Sequence, residues 1–270
     1  MAGDQSTIYR PLIATFAVAL LILGGCGASL TEREGIIRHD GVYVFHAPGI
    51  SGDVPHDHFF ARGLIRGGIQ EVHMVNWTTL LPGRNLTDTE LHENQSRRLV
   101  ERLRGFKATS PEARVILTGH SGGAKIVIRA TELLEVGENL VEQVWLLAPA
   151  LSPDYDFGPA LERVPRLVAL TSPHDRLILG MGTTLFGTSD RYFGDAGGRI
   201  GFTYYHARFE QWGYDPAWLE HRNSGDHLQL LSQRFSTRVI APAMLQYWPL
   251  ESPPGGGRGE GPDMDAHESP

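Results

Sequence analysis

Residues 114–134 read RVILTGHSGGAKIVIRATELL, and this stretch decides the fold. Residues 114–118 (RVILT) have the β-branched, apolar character of a buried strand, and residues 124–134 read as a helix. Between them lie Gly119-His120-Ser121-Gly122-Gly123, a G-x-S-x-G pattern. A strand that passes straight into a helix forces the serine into a tight, strained turn, where bulky neighbours would clash and glycines do not. The hydroxyl then projects above the sheet at a helix N-terminus, and the following N–H can point at a developing oxyanion. The residues also admit a glycine-rich turn that merely packs closely, or a phosphate-binding loop. Against the last, neither G-x-x-x-x-G-K-[ST] nor G-x-G-x-x-G occurs.

Outward from this hinge the pattern repeats. Residues 41–46 (GVYVFH) read as a strand, and residues 54–65 as a helix with Phe59, Phe60, Leu64 and Ile65 on one face. Residues 71–77 (EVHMVNW) read as a second strand, followed by a turn-rich loop and a helix over 93–106 carrying Leu99, Leu103 and Phe106. Downstream, residues 143–147 (QVWLL) and 166–170 (RLVAL) are continuous apolar runs, which suit strands buried on both faces of a parallel sheet. A sixth strand is expected over 202–209 and a final helix over 232–247. Strand and helix alternating at this spacing predict a doubly wound, mostly parallel α/β sheet of about six strands in one domain, residues 41–248. Only 18 residues separate QVWLL from RLVAL, so a small lid or none is expected. The glycine-rich segment 180–201 is expected to form a small flap.

The 270 residues are 41% hydrophobic, 20% charged and 9% aromatic, with a mean hydropathy of -0.19, which excludes wholesale disorder and a multi-span membrane protein. The net charge of -7 is the wrong sign for a general nucleic-acid binder. Much of that charge lies in residues 249–270, a Pro/Gly-rich tail with five acids against one base, expected to be disordered. One cysteine, Cys26, rules out an internal disulfide framework and a cysteine-rich metal site. Residues 11–25 (PLIATFAVALLILGG) form an uncharged apolar run, short for a membrane span and suited to the core of an export signal. The sequence Leu23-Gly24-Gly25-Cys26 resembles the bacterial lipobox. That resemblance implies an export signal over 1–25, lipidation of Cys26, a linker over 26–40, and a membrane-anchored lipoprotein of the cell envelope. An ordinary cleaved signal and a single anchor helix remain open.

The order and placement of further residues make the chain resemble the α/β-hydrolase family of serine esterases and lipases over roughly residues 40–248. In that family the partners follow in the order serine, acid, histidine. The resemblance implies Ser121 as nucleophile, Asp175 as the acid in Thr171-Ser172-Pro173-His174-Asp175-Arg176, and His227 as the base in Asn223-Ser224-Gly225-Asp226-His227-Leu228. Asp154 and Asp156 are rival acids, and His206 and His221 rival bases. The oxyanion hole is expected from the N–H groups of Gly122 and Ile50, with Gly49 as second choice. Here the chain has His46-Ala47-Pro48-Gly49 where relatives often carry His-Gly, and Pro48 has no N–H to donate. The expected reaction is hydrolysis of carboxylic ester-type bonds, of small molecules or lipids, through an acyl-enzyme, with no cofactor and no metal. The same triad serves thioesterases, amidases and peptidases. An inactive envelope binding or assembly lipoprotein on the same sheet is the alternative from a different class.

Other residues call for blander readings. His56-Asp57-His58 has the composition of a metal site, but residues two apart on a helix point about 200° away from each other. His120 is expected to pack against neighbours. Trp212, Tyr214 and Trp218 wall a substrate pocket or cover the last strand, and Arg97, Arg98, Arg102 and Arg104 read as a solvated helix face.

Overall fold

The computed structural model of the chain describes residues 29–30, 41–175 and 187–246. The export signal, Cys26, nearly all of the linker and the acidic tail lie outside the described residues, as do residues 180–186 of the expected flap. In chain order the described part runs β1 (Ser29–Leu30), β2 (Val42–Ala47), α1 (Pro55–Arg66), β3 (Glu71–Met74), α2 (Pro82–Thr87), α3 (Thr89–Thr109) and β4 (Arg114–His120). It continues with α4 (Gly123–Glu132), β5 (Gln143–Leu147), α5 (Gly158–Leu161), β6 (Arg166–Thr171) and β7 (Phe209–Gly213). A C-terminal helix follows, made of Gln233–Phe235, a π-helical stretch Ser236–Ile240, and Ala241–Gln246.

The strands form one sheet in the order β1-β3-β2-β4-β5-β6-β7. Strands β2 to β7 are all parallel to their neighbours, and β1 adds a two-residue antiparallel edge against β3. The central strands are buried along their whole length because helices cover both faces. Alternate residues feed two cores. Leu117, Leu146 and Leu167 pack beneath α3 and α4 with Leu99, Leu103 and Val127, while Ile116, Leu147 and Val168 face Phe60, Leu64, Phe235 and Ile240 of α1 and the C-terminal helix. Fully burying each such side chain contributes about 1.5–3 kcal/mol.

The last strand lies later than expected, at Phe209–Gly213 rather than over 202–209. Phe202 is instead a core ring set edge-on against Phe157, its N–H held by the Gln211 side chain at 2.6 Å, while Tyr205 is 94% exposed. His206, expected within that strand, sits in the turn before it, where its Nδ1 accepts the Arg208 N–H at 3.1 Å. The second expected strand stops at Met74, because Trp77 turns its ring into the core and donates Nε1–H to the Pro48 carbonyl at 2.8 Å.

Two glycines let α1 cross the C-terminal helix at close range. A Cβ on Gly63 would lie 2.5 Å from the Gln233 carbonyl oxygen, and one on Gly67 would lie 2.3 Å from the Ala241 Cβ. The Thr237 hydroxyl fastens the crossing by donating to the Gly63 carbonyl at 3.0 Å. Among the described residues, no helix is long and apolar enough to cross a membrane.

Candidate active site

The site is built from four loops at the C-terminal edge of the sheet. The first is the turn between β4 and α4. Ser121 stands there at φ 52°, a left-handed conformation that costs a non-glycine residue about 1 kcal/mol or more. Backbone bonds hold it: Ser121 N–H donates to the Leu147 carbonyl at 2.9 Å, and its own carbonyl accepts from Ala150 N–H at 3.1 Å and Ala124 N–H at 3.2 Å. Close approach explains the flanking glycines. A Cβ on Gly119 would lie 2.7 Å from Ala124 Cα, and one on Gly123 would lie 2.3 Å from both the Ala47 and Pro48 carbonyl oxygens.

The second loop, residues 48–53, leaves β2 directly beside this turn, since Ala47 pairs with Gly119 across the parallel strands. Its carbonyls are tied down: Trp77 Nε1 bonds Pro48, the Asn85 amide bonds Ile50 at 2.8 Å, and Gly52 N–H bonds Gly49 at 3.0 Å. Ile50 packs against the turn so tightly that a Cβ on Gly122 would lie 2.5 Å from its Cγ2. Among the described residues, none accepts a hydrogen bond from the N–H of Ile50 or Gly122. A donor that sequence reading missed lies at the same spot. The Ser189 hydroxyl is buried without a hydrogen-bond partner, 3.6 Å from where a Cβ on Gly122 would sit.

The third component joins two loops after β6 and β7. Asp175 lies just beyond β6 with its side chain 1% exposed, and it accepts a short hydrogen bond from His227 Nδ1. The loop that delivers His227 turns at Gly225, φ 84°, where a Cβ would lie 2.5 Å from Ser172 Oγ. His174 Nδ1 donates to the Ser224 carbonyl at 2.8 Å and so links the two loops. Asp226 keeps a local task, accepting the N–H groups of Leu228 and Gln229.

His120 brings this pair to the turn. Its Nε2–H donates to the His227 backbone carbonyl at 3.0 Å, and the two imidazoles lie 4.6 Å apart, so residue 227 is next to the residue that precedes Ser121. Complete burial, reinforced by the positive charge that His227 and His46 carry when protonated, pushes the His120 pKa down to about 3. It is therefore neutral at pH 7. Beneath it, fully buried His46 bonds Thr118 Oγ1 through Nδ1 at 2.8 Å and Asp57 through Nε2 at 2.9 Å. Burial raises the Asp57 carboxyl, but the hydrogen bond and charge of His46 outweigh it and hold Asp57 below the usual carboxylate range.

The remaining candidates separate. Asp57 points into the core while His58 turns to Asp53 at 3.1 Å, so the His56-Asp57-His58 side chains diverge. Asp154 and Asp156 are exposed, and Asp156 caps α5 by accepting the Gly158 N–H at 2.8 Å. His221 is held through its carbonyl by Ser232 Oγ, away from the turn that holds Ser121 in sequence and bonding. Trp212 sets its ring on Trp145 and Trp218 on Phe235, as cover over the core. Arg102 departs from the solvated-face expectation: it donates to the Met74 carbonyl at 2.9 Å and lies over the Phe45 ring. In the flap region, the described residues pack down on the sheet edge, with Ser152 N–H and hydroxyl bonded to Asp190 and Gly197 N–H bonded to the Leu151 carbonyl.

No protein-family model matches the sequence, and no curated protein matches it. Solved structures do match. Lipase B from Aspergillus fumigatus is 14% identical with a TM-score of 0.51, over 81% of this chain and 56% of that one. This chain thus spans little more than half of that lipase's length. The esterase domain of a Rhodothermus marinus protein is 16% identical with a TM-score of 0.49, over 81% of this chain and 91% of that one. The parallel sheet, its strand order and the structural match to the lipase together give this chain the α/β-hydrolase fold.

Proposed function

We propose that this chain is a serine hydrolase that cleaves carboxylic ester-type bonds, with Ser121 as nucleophile, His227 as general base and Asp175 as the orienting acid. The observation that carries the proposal is the meeting of three features: a serine held at φ 52° on a strand-to-helix turn, a histidine whose backbone carbonyl accepts a hydrogen bond from the residue beside that serine, and a buried carboxylate on that histidine's Nδ1. A carboxylate on Nδ1 fixes the proton there and leaves Nε2 bare, the state needed to take a proton from a hydroxyl.

In the forward step His227 Nε2 removes the Ser121 proton as Oγ attacks the carbonyl carbon, and the carbonyl electrons move to oxygen. The N–H groups of Gly122 and Ile50 receive that oxyanion, and the orphaned Ser189 hydroxyl is a third donor to it. The imidazolium then gives its proton to the leaving alcohol. Water, deprotonated by the same nitrogen, releases the acid and restores Ser121. That the fold neighbour with the higher TM-score is a lipase supports an ester-type substrate.

The test is labelling by a fluorophosphonate probe together with turnover of p-nitrophenyl esters. Ser121→Ala should abolish both while the protein melts normally. An unlabelled, folded parent chain would sink the proposal. We also propose export and envelope anchoring through Cys26; metabolic labelling with a fatty-acid analogue should be lost in Cys26→Ala, and persistence of export without any lipid label would overturn that anchor.

A further inference from the structure

Beside the loop that carries His227, α1 and the C-terminal helix flank a groove of about 740 Å³ whose charge is all of one sign. Arg66 enters from α1, Arg234 and Arg238 from the C-terminal helix, and Arg222 from the loop before it, with His56 at one end and no Asp or Glu in the lining. A fifth guanidinium, Arg62, lies 5.7 Å from the centre of the Phe59 ring that forms part of the wall.

Elsewhere eight described arginines are ion-paired, and Arg102 and Arg208 donate to backbone carbonyls. Arg84, Arg97, Arg104 and Arg114 each meet a carboxylate, and so do Arg129, Arg163, Arg166 and Arg199. Among the described residues, the four arginines of the groove meet none. Three of them, Arg66, Arg234 and Arg238, stand on helices that the glycine crossing and the Thr237 bond hold together. The Gln233 side-chain Nε2 in the same wall is buried without an acceptor. Hydrogen-bond donors thus surround the groove with nothing to receive them. Two large apolar side chains, Phe59 at 40% and Leu228 at 39% exposure, stand at its edge.

We infer that this groove binds an organic phosphate. Four cations exceed what one carboxylate calls for, and guanidinium forks match phosphate oxygens in pairs. The volume suits a small organic molecule, whose apolar part would lie on Phe59 and Leu228. The phosphate could belong to a soluble ester or to a phospholipid headgroup. The inference does not depend on the hydrolase assignment.

The experiment is calorimetric titration of the folded chain with n-hexyl phosphate and with inorganic phosphate, beside sedimentation with phosphatidylglycerol and phosphatidylcholine vesicles. Hexyl phosphate should bind at least fivefold more tightly than inorganic phosphate. The double variant Arg234→Gln, Arg238→Gln should lose at least tenfold, while Arg98→Gln, on the exposed face of α3, should bind like the parent. Phe59→Ser should erase the preference for the hexyl chain and leave inorganic phosphate binding intact. Capture on phosphatidylglycerol but not phosphatidylcholine vesicles, sensitive to the double variant and without hexyl phosphate binding, would assign the phosphate to a lipid. Absence of binding to every probe, or a double variant that binds as well as the parent, overturns the inference.

Discussion

Asp175→Asn changes charge and hydrogen-bonding capacity at a buried point while keeping the side chain's size. In the parent, the carboxylate faces His227 Nδ1 with 1% exposure, so water does little to screen it. When His227 takes the serine proton it becomes a cation against that anion. Two unit charges about 4 Å apart at an effective dielectric near 20 attract by about 4 kcal/mol, which is about a thousandfold in rate. The amide also loses the acceptor that fixes the proton on Nδ1; if its NH₂ faces the ring, the proton moves to Nε2 and the base is blocked. The two effects together should lower kcat/KM by about 10³–10⁴-fold. The assay is p-nitrophenyl ester hydrolysis, with Asp156→Asn alongside and a thermal melt of each protein. Asp156 is exposed and only caps α5, so its variant should stay within about twofold of the parent, a change of under roughly 0.5 kcal/mol. If Asp175→Asn retained activity within tenfold of the parent, or Asp156→Asn took the large loss, the assignment of the acid would be refuted.

Three further outcomes follow from the same geometry. Ser121→Gly should abolish turnover yet raise the melting temperature by about 2–4 °C, because glycine relieves roughly 1 kcal/mol of strain at φ 52°; an unchanged or lower melting point would show the turn unstrained. His120 binds its proton near pH 6.5 when unfolded but only near 3 in the fold, so the unfolded state holds more protons between those values and stability declines as pH falls through that window, by up to about 1.4 kcal/mol per pH unit. His120→Gln keeps a donor for the His227 carbonyl and should flatten that acid limb in denaturant titrations; identical slopes in the two proteins would count against a buried neutral imidazole. Ser189→Ala should lower kcat about tenfold, or roughly 1.4 kcal/mol, with KM little changed, the mark of a donor used in the transition state; a pure KM effect would make its role one of ground-state binding.

The parts legible in the sequence were those where one physical demand dominates. Residues 114–123 could be read because a buried strand needs an apolar run and the turn after it needs glycines, and both demands leave their mark on residue type. Asp175 and His227 were named only through the resemblance, whose order of serine, acid and histidine the sequence could be laid against; in the structure these two side chains are hydrogen-bonded. β7 was misplaced because it is an edge strand, half exposed, and its composition FEQWG is no more strand-like than the loop FTYYHAR before it. Nothing in sequence periodicity announces the two-residue β1 or the π-helical stretch of the C-terminal helix. The His46–Asp57 pair stayed hidden for another reason. Its only local signal is an acid at the third position of a helix that opens with proline, and that signal speaks of capping, while the partner comes from a neighbouring strand. Ser189 and the arginine groove likewise arise from segments distant in sequence, and no local pattern records such meetings.

The pairing of Ala47 with Gly119 also bears on how such a chain can tolerate insertions and deletions. Two ribbons leave the sheet level with each other, so the distance between Ile50 and Ser121 is set by counting peptides upward from that rung. Extra residues in the connections at the opposite rim, such as 110–113 or 135–142, leave the count untouched. One residue added between Ala47 and Ile50 would displace the donor by about 3.3 Å, longer than a hydrogen bond's whole tolerance. Descendants of this sequence are therefore free to change length at one rim, and held to a single spacing at the other.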